Sequence, residues 1–372
     1  MKLFLIAFYK GLLLFLLSSF LGASSNAEFI QDILPPSFEK PFTISLSHGE
    51  FDESLDVLNY ADKLTGSKPK SAALSSLFLS YKFNNTLKLT SQITESSAQV
   101  ERQTIPKSLT TDTDSSFFSL SYELFSNSNN IYEMELFFEE ENQDPLTIDC
   151  YEFGSLVVGG SCPEARISFL DAEIYKSTGE LVHLPVLVFE GNTEAYGLVF
   201  RIKGLSSNNF KVNHSISYKR SEVTAEYISA ILNTTDTTLR GVKMGGTTTG
   251  EMLDQFKNEL PQTTPWKENV FKYSLNSTLG LSKRIALVSR IGFIKVSRSD
   301  YQENPNKEDY ETNYLLDVGL FYSITDRFTL YSRASLSSNY LLGLNSLSYN
   351  RRSNHLFDHP YGQLYIGTLI QF

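Results

Sequence analysis

The side chains best suited to acid–base chemistry in this chain are its five histidines, because imidazole titrates near neutral pH. A hydrolase needs such a base within hydrogen-bond reach of a nucleophile, and His214 stands directly before Ser215. Adjacent residues of an extended strand point to opposite faces, so this pair does not meet in one site. Asp358 and His359 face the same objection, and His183 has no evident partner. The sequence therefore predicts no catalytic residue, and we expect that the chain is not an enzyme.

A second set of side chains that could act on solutes consists of charges that alternate with apolar residues. Glu133 and Glu135, for example, are interleaved with Tyr132, Met134 and Leu136. In an extended strand this pattern puts the charges on one face and the apolar residues on the other. If such strands close into a barrel, the charged face points into its lumen. The charged residues predicted to face the lumen are Glu123, Glu133, Glu135, Asp171, Glu173, Arg201, Lys203, Lys211, Lys219, Arg290 and Arg333.

These charges allow two interpretations. The acidic candidates come from earlier strands and the basic ones from later strands, so an acidic wall could face a basic wall. Such a transverse field would orient dipolar or zwitterionic solutes, as rings of charged side chains tune pore selectivity. Alternatively, the charges pair across the lumen, fill it and stabilise the protein. The alternation alone leaves both interpretations open.

The elements that would position these charges are segments with an apolar residue at every second position. Leu77, Leu79 and Tyr81 form a clear example, and Asn84 begins a tight turn after them because asparagine tolerates positive φ. Phe42 to Leu46 forms a weaker first segment. We count about 14 such strands, and the usual error of predicted boundaries allows roughly 12 to 16. They include strands at 170–174, 182–188 and 196–202, with a short link over 191–194. The polar stretch 95–115 is predicted to be a long connection.

The last ten residues carry the most specific pattern in the chain. Leu364, Ile366, Ile370 and Phe372 fall on one face of an extended strand, and the sequence ends on that aromatic residue. This stretch resembles the C-terminal strand of Gram-negative outer-membrane β-barrel proteins. The resemblance implies that these four residues form an assembly signal. It also implies that the last strand closes the barrel by pairing with the first strand near Phe42.

Connection lengths support a barrel. Tight turns are predicted near residues 84, 127, 178, 206, 283 and 326, and nearly all the other connections are long. Outer-membrane barrels have short periplasmic turns and long extracellular loops, whereas a β-sandwich has no reason to alternate connection lengths. Both chain ends would then lie on the periplasmic side, which requires an even number of strands.

The beginning of the chain is typical of a signal peptide. Lys2 precedes an apolar region that extends to Leu21, and Ala23 to Ala27 offers a small-residue cleavage site. An N-terminal membrane anchor is the alternative, but the uninterrupted apolar run is shorter than the roughly 20 residues of a spanning helix. We therefore expect a signal peptide over residues 1–27, a lead segment over 28–40 and a barrel over 41–372.

Composition agrees with an exported barrel. The mean hydropathy is −0.18, and the chain has 20 tyrosines and 27 phenylalanines, as aromatic girdles at two membrane interfaces require. A net charge of −10 argues against nucleic-acid binding. Cys150 and Cys162 are predicted to form one disulfide in an exported chain. A metal site would need further ligands nearby, so we expect none.

The longest predicted connection is 221–269, which exceeds an ordinary hairpin loop. Thr248 to Glu251 resembles a capping box that opens a short helix, and Met252, Phe256 and Leu260 share one face of that helix. Such an apolar helix face is expected to pack against another part of the protein. Either the segment folds into the lumen as a constriction or plug, or it packs outside on neighbouring loops.

Taken together, the sequence predicts an all-β protein, a transmembrane antiparallel up-and-down β-barrel. The expected function is a porin-like channel for passive passage or uptake of small solutes. The alternative is a non-conducting surface protein whose extracellular loops mediate binding or adhesion. The expected partners are outer-membrane lipids, the barrel-assembly machinery acting on the C-terminal strand, and a small solute, with no cofactor.

Overall fold

The computed structural model describes residues 40–52, 67–102, 105–149, 185–204, 210–228, 265–300, 311–337 and 361–372, with isolated residues between 240 and 254. Twelve long antiparallel strands in these ranges form one closed barrel, and two short strands form a separate hairpin. The predicted fold class is confirmed, and the strand number lies at the lower end of the predicted range. No helix among the described residues is long and apolar enough to cross a membrane.

The strands follow one another around the barrel in chain order. They are β1 (Phe42–Asp52), β2 (Ser67–Lys82), β3 (Leu87–Arg102), β4 (Ile105–Ser126), β5 (Asn130–Asp149), β6 (Pro185–Gly204), β7 (Phe210–Ile228), β10 (Trp266–Gly280), β11 (Ile285–Ser299), β12 (Thr312–Ser323), β13 (Phe328–Ser337) and β14 (Tyr361–Gln371), with β8 (Lys243–Met244) and β9 (Thr247–Thr248) forming the hairpin.

The barrel closes between its first and last strands, as the sequence predicted. β1 pairs antiparallel with β14 from Thr43 opposite Gln371 to Glu50 opposite Leu364. At the end of this seam the Phe42 and Phe372 rings stack with their centroids 6.3 Å apart. Their backbones also exchange two hydrogen bonds, of 3.2 Å and 2.9 Å. Closure leaves neither strand with an unpaired edge in this register.

The short turns are all stabilised by the same kind of side-chain-to-backbone hydrogen bond. In each described turn at this end of the barrel, a side-chain oxygen accepts hydrogen bonds from the backbone N–H groups two and three residues later. The acceptors are Asn84, Asn127, Ser282 and Thr325, at distances of 2.8–3.2 Å. Such bonds satisfy turn amides that have no ladder partner. This turn end also contains the closing residues of β1 and β14. The predicted turns at 178 and 206 lie outside the described residues.

Two strands that were predicted separately form a single strand in the structure. The sequence suggested strands at 182–188 and 196–202 with a link over 191–194, whereas β6 runs unbroken from Pro185 to Gly204. Gly191 and Asn192 look like turn residues, but both neighbouring strands extend far enough to pair with them. Pro185 is the first residue of the strand, where a missing N–H removes no interior ladder bond. A further strand predicted over 170–174 lies outside the described residues.

The polar segment 95–115, predicted as a long connection, is also mostly strand. β3 continues to Arg102 and β4 begins at Ile105, with Glu95 opposite Asp114 in the ladder. The prediction was wrong because the polar composition of this segment was taken as evidence for a loop rather than for a strand. A ladder that projects beyond a membrane has water on its outer face, so polar residues can alternate there without breaking the strand.

Strand lengths make the barrel asymmetric. We call β2–β7 the tall wall and β12–β14 the short wall. In the tall wall, β4 starts at Ile105 and β5 ends at Asp149, far beyond the outward aromatic residues Phe118 and Phe138. At about 3.3 Å per residue, each of these two segments corresponds to roughly 40 Å of extended chain. In the short wall, β12 starts only two residues before Tyr314.

Exposed apolar side chains form a band around the outside. Leu120, Leu136, Leu198 and Leu320 are each more than 40% exposed. Aromatic residues border the band at the turn end and at the loop end. The loop-end girdle consists of Phe118, Phe138, Tyr196, Tyr218, Phe271, Tyr273, Phe293 and Tyr314. This arrangement is that of a barrel embedded in a bilayer.

The longest connection was predicted over 221–269, but β7 runs to Ile228 and β10 begins at Trp266. Between these strands the structure describes the β8–β9 hairpin and a few further residues between 240 and 254. The backbone N–H and the hydroxyl of Thr248 donate to Glu251, and the Glu251 N–H donates back to the hydroxyl at 3.2 Å. These reciprocal bonds are those of the predicted capping box. They hold the pKa of the Glu251 carboxyl below its usual range, because they favour the ionised form. The side chains predicted to form the apolar face, Met252, Phe256 and Leu260, lie outside the described residues.

Candidate functional site: the barrel lumen

Alternation along each strand turns small polar and charged side chains into the lumen. Buried polar residues, many of them Ser, Thr, Asn and Gln, outnumber buried apolar ones among the described residues. Of the predicted lumen charges, these are buried: Glu133, Glu135, Arg201, Lys203, Arg290 and Arg333. Glu123, Lys211 and Lys219 are half-buried. Asp171, Glu173 and both cysteines lie outside the described residues.

A first ion cluster joins β3, β5 and β6 near the turn end. Arg201 Nη1 donates to Glu133 at 3.2 Å and also to Glu135. Lys203 Nζ donates to Glu133 at 2.8 Å, and Lys88 Nζ lies 3.9 Å from the same carboxylate. Ionised groups are buried at tolerable cost only when they are paired and hydrogen-bonded. Here two carboxylates share three cations.

A second ion cluster joins β11, β12 and β13. Arg290 Nε donates to Asp317 Oδ2 at 2.5 Å, and Arg333 Nε donates to Asp317 Oδ1 at 2.8 Å. Asp317 is fully buried. The Arg333 guanidinium also lies 4.9 Å from the centroid of the Tyr365 ring. One carboxylate therefore serves two guanidinium groups.

Two smaller ion pairs lie nearer the loop end. Lys219 Nζ is 3.2 Å from Glu139, and Arg298 Nε donates to Glu268 at 3.0 Å. The indole Nε1 of Trp266 donates to the same Glu268 carboxylate at 3.1 Å. In all these groups, acidic and basic side chains in the lumen pair with each other on adjoining or nearby strands. This geometry favours the second sequence interpretation, in which the charges pair, over two opposed walls of unlike charge.

An apolar layer spans the lumen between these polar groups. It is one contiguous cluster of buried side chains from β2, β4, β5 and β6 together with others from β11–β14, on the opposite side of the barrel: Phe78, Phe117, Phe137, Val199, Ala286, Val288, Phe321, Tyr331 and Leu369. Phe117 and Phe137 stack at 5.5 Å, and Phe321 and Tyr331 at 5.1 Å. This layer was not predicted from the sequence, because the apolar residues of each alternating segment were assigned to the outer face.

Inward glycines make room for two of these rings. A Cβ placed on Gly367 of β14 would lie 2.3 Å from Tyr331 Cζ. A Cβ on Gly197 of β6 would lie 2.5 Å from Phe137 Cζ. Each ring therefore lies across a position of the next strand that only glycine leaves open. The two glycines thus let these rings pack directly against the barrel wall.

Sequence reasoning missed several lumen residues. Asp317 stands between Leu316 and Val318, and Lys88 stands between Leu87 and Leu89. The same alternation that identified Glu133 marks both as inward. These charges could have been found by assigning every second residue of each predicted strand to the lumen.

Comparisons with known proteins found similarity only to solved structures. No protein-family model matches the chain. No curated protein matches it either. Among solved structures it resembles the translocator domain of autotransporter NalP from Neisseria meningitidis, with 9% identity, a TM-score of 0.50, and coverage of 93% of this chain and 94% of that one. Two others are the β domain of the Bordetella autotransporter BrkA (8% identity, 90% and 100% coverage, TM-score 0.44) and the NanC porin (9%, 88% and 100%, 0.43).

The closed antiparallel barrel, the outward apolar band with its aromatic borders and the polar interior define an outer-membrane β-barrel. At 9% identity to the NalP domain, the likeness concerns the fold. The class of protein is therefore an outer-membrane barrel, and its particular role has to be inferred from the lumen and the outer surface.

Proposed function

We propose that this chain is an outer-membrane barrel that does not conduct in the described state, and that its outer surface carries its function. The observation that supports this proposal is the apolar layer, which links side chains from opposite sides of the lumen. The arginines and carboxylates around it are also buried, with Arg201 and Arg290 each at most 3% exposed. A water-filled pore would leave side chains at this level exposed to solvent.

The tall wall supports a surface role. β4, β5 and β6 are 20–22 residues long, whereas a membrane-spanning strand needs about 9–11. The excess projects from the loop end. Long extracellular elements on a rigid barrel are suited to binding or adhesion, since function concentrates on exposed loops held by a stable scaffold.

Single-channel recording in a planar bilayer tests the proposal. We expect the purified barrel to be electrically silent. Substituting alanine for Phe117, Phe137 and Tyr331 together should create conductance, because it removes three rings from the layer that spans the lumen. The matched control is Phe138→Ala, since Phe138 is adjacent to Phe137 but points outward and is 45% exposed. A steady conductance of the unmodified barrel would contradict the proposal.

The second candidate is a porin-like channel for passive passage or uptake of small solutes. The predominance of buried polar side chains in the lumen favours it, because water-filled barrels have polar interiors. Passage would then require the apolar layer to move. Conductance of the unmodified barrel that changes when Arg201 or Arg333 is neutralised would support this candidate, since charged side chains in a pore tune its ion selectivity.

A further inference from the structure

A serine, a histidine and a glutamate are joined by hydrogen bonds on the outer surface where β1 meets β2. Ser75 Oγ lies 2.9 Å from His48 Nδ1, and Glu50 Oε1 lies 3.1 Å from His48 Nε2. The His48 and Glu50 side chains are 53% and 68% exposed, and Ser75 is exposed as well. With the proton on Nε2, the imidazole accepts from the serine hydroxyl and donates to the carboxylate.

The strand register holds these three residues together. His48 and Glu50 are two positions apart on β1, so both point outward. Ser75 of β2 is the direct ladder partner of His48. Nucleophilic catalysis by serine requires this order of contacts, in which a base takes the hydroxyl proton and a carboxylate orients the base and stabilises its charged form.

The surroundings place the three residues at a boundary between apolar and polar surface. Toward the turn end, Leu46 is 53% exposed, and on β14 the ladder partner of His48 is Ile366, which is 71% exposed. On the other side, the ladder partner of Ser75 is the exposed Glu95 of β3. This boundary is where the headgroup region of a bilayer meets its acyl chains. A lipid lying along Leu46 and Ile366 would carry its ester group at the level of Ser75.

We propose that Ser75, His48 and Glu50 form a hydrolytic site for acyl esters of membrane lipids. Ser75 Oγ attacks the ester carbonyl while its proton passes to His48 Nδ1, and the bond to the alcohol then breaks as His48 returns the proton to the leaving oxygen. Water then attacks the acyl-serine, with His48 as base again, and releases a carboxylic acid with free Ser75. Glu50 is a positioning residue, because it contacts His48 and not the ester.

Turnover should be slow. The backbone amides around Ser75 belong to the ladders that β2 forms with β1 and β3, so interfacial water would have to solvate the developing oxyanion. Preorganised oxyanion donors are usually a large part of catalysis. Covalent trapping of the nucleophile is therefore a more sensitive measurement than steady-state hydrolysis.

The test treats the full chain, folded in detergent micelles, with a fluorophosphonate probe and maps the adduct by mass spectrometry. We expect labelling at Ser75 that is lost in Ser75→Ala and falls roughly 10²-fold in His48→Asn, since general-base assistance is of this order. Glu50→Gln should slow labelling by less, and Glu50→Asp should restore part of the rate. The matched control is Ser332→Ala, because Ser332 is also outward on the barrel but pairs with Leu320 and Ile366.

A second measurement follows fatty-acid release from phosphatidylcholine vesicles that contain the barrel. Release above that of the Ser75→Ala barrel supports a lipid ester as substrate, and release equal to it overturns that assignment. Absence of labelling at Ser75, or equal labelling in His48→Asn, would overturn the site itself. All the substituted side chains are exposed, so unheated gel migration should show that each variant remains a folded barrel.

Discussion

Two opposite sides of the lumen each contain a buried ion cluster and an aromatic ring packed on a glycine. The two ion clusters differ in the number of carboxylates that pair with their cations. On the β5–β6 side, two carboxylates share three cations, and the Phe137 ring covers Gly197. On the β11–β14 side, one carboxylate serves two arginines, and the Tyr331 ring covers Gly367. Loss of one carboxylate therefore leaves the first cluster partly paired, whereas it leaves the second with none of these pairs. The comparison predicts that equivalent substitutions have unequal effects.

The largest effect is expected for Asp317→Asn, which leaves Arg290 and Arg333 buried without their shared carboxylate. Removing one partner of a buried ion pair costs about 3–5 kcal/mol. Urea titration of the barrel in lipid vesicles, followed by tryptophan fluorescence and gel migration, would measure this loss. The control is Asp326→Asn, the same change at an exposed turn residue. Similar stabilities for the two variants would show that the second cluster does not hold the barrel together.

Substituting alanine for Gly197 and for Gly367 compares the energetic cost of disturbing the two ring contacts. At Gly197 the new Cβ would lie 2.3 Å from the backbone oxygen of Tyr218 as well as against Phe137, while at Gly367 the close atoms belong to the Tyr331 side chain. Overpacking costs about 1–3 kcal/mol, and a ring can move more easily than a ladder. We expect the larger loss of unfolding free energy at Gly197. Gly241→Ala serves as the control, because no atom lies within 4 Å of its Cβ position.

Glu135→Gln should have a smaller effect than Asp317→Asn. Arg201 keeps its bond to Glu133, and the glutamine oxygen can still accept from Arg201, so we expect a loss of about 1 kcal/mol. A double substitution with Glu133→Gln should cost more than the sum of the single ones, because it removes both carboxylates of the cluster. Additive losses in this cycle would contradict the proposed redundancy.

The smallest effect is expected outside the lumen, at the exposed pair of Lys295 and Glu311. The Lys295 ammonium donates to Glu311 and holds the pKa of that carboxyl below its usual range. A lowered folded-state pKa gives stability that is present above the unfolded pKa and is lost as pH falls through the folded one. Exposed pairs contribute about 0–1 kcal/mol, so Glu311→Gln should leave unfolding nearly unchanged at neutral pH. Its small residual effect should disappear in acid and in high salt.

Much of the fold could be predicted, because alternation and turn chemistry act locally. Leu77, Leu79 and Tyr81 showed which face of β2 points outward, and Asn84 marked its turn. The predicted count of about 14 strands exceeds the twelve observed, in part because Gly191 and Asn192 are typical turn residues that continue β6 only through pairing with two long neighbours. The predicted lumen charges on described strands are buried or half-buried, but their pairing could not be read from the sequence.

His48 illustrates the limit for function. Closeness in sequence brings a histidine together with neighbours such as Ser215 beside His214, but it gives no sign that His48 lies beside Ser75. These two are 27 positions apart and become partners only through the register of β1 and β2. The expectation that the chain is not an enzyme thus stays a prediction, which trapping at Ser75 would test.

Local patterns in the sequence were enough to predict the alternating faces, the turns near 84, 127, 283 and 326, and a last strand that pairs with the first, since these depend on neighbouring residues and a period of two. The folded barrel was needed to show that Arg201 meets Glu133, that Asp317 lies between two arginines, and that aromatic rings from opposite sides of the lumen belong to one apolar cluster. Those contacts depend on cross-strand register and on the diameter of the closed barrel. Both are set by all twelve strands together rather than by any one segment.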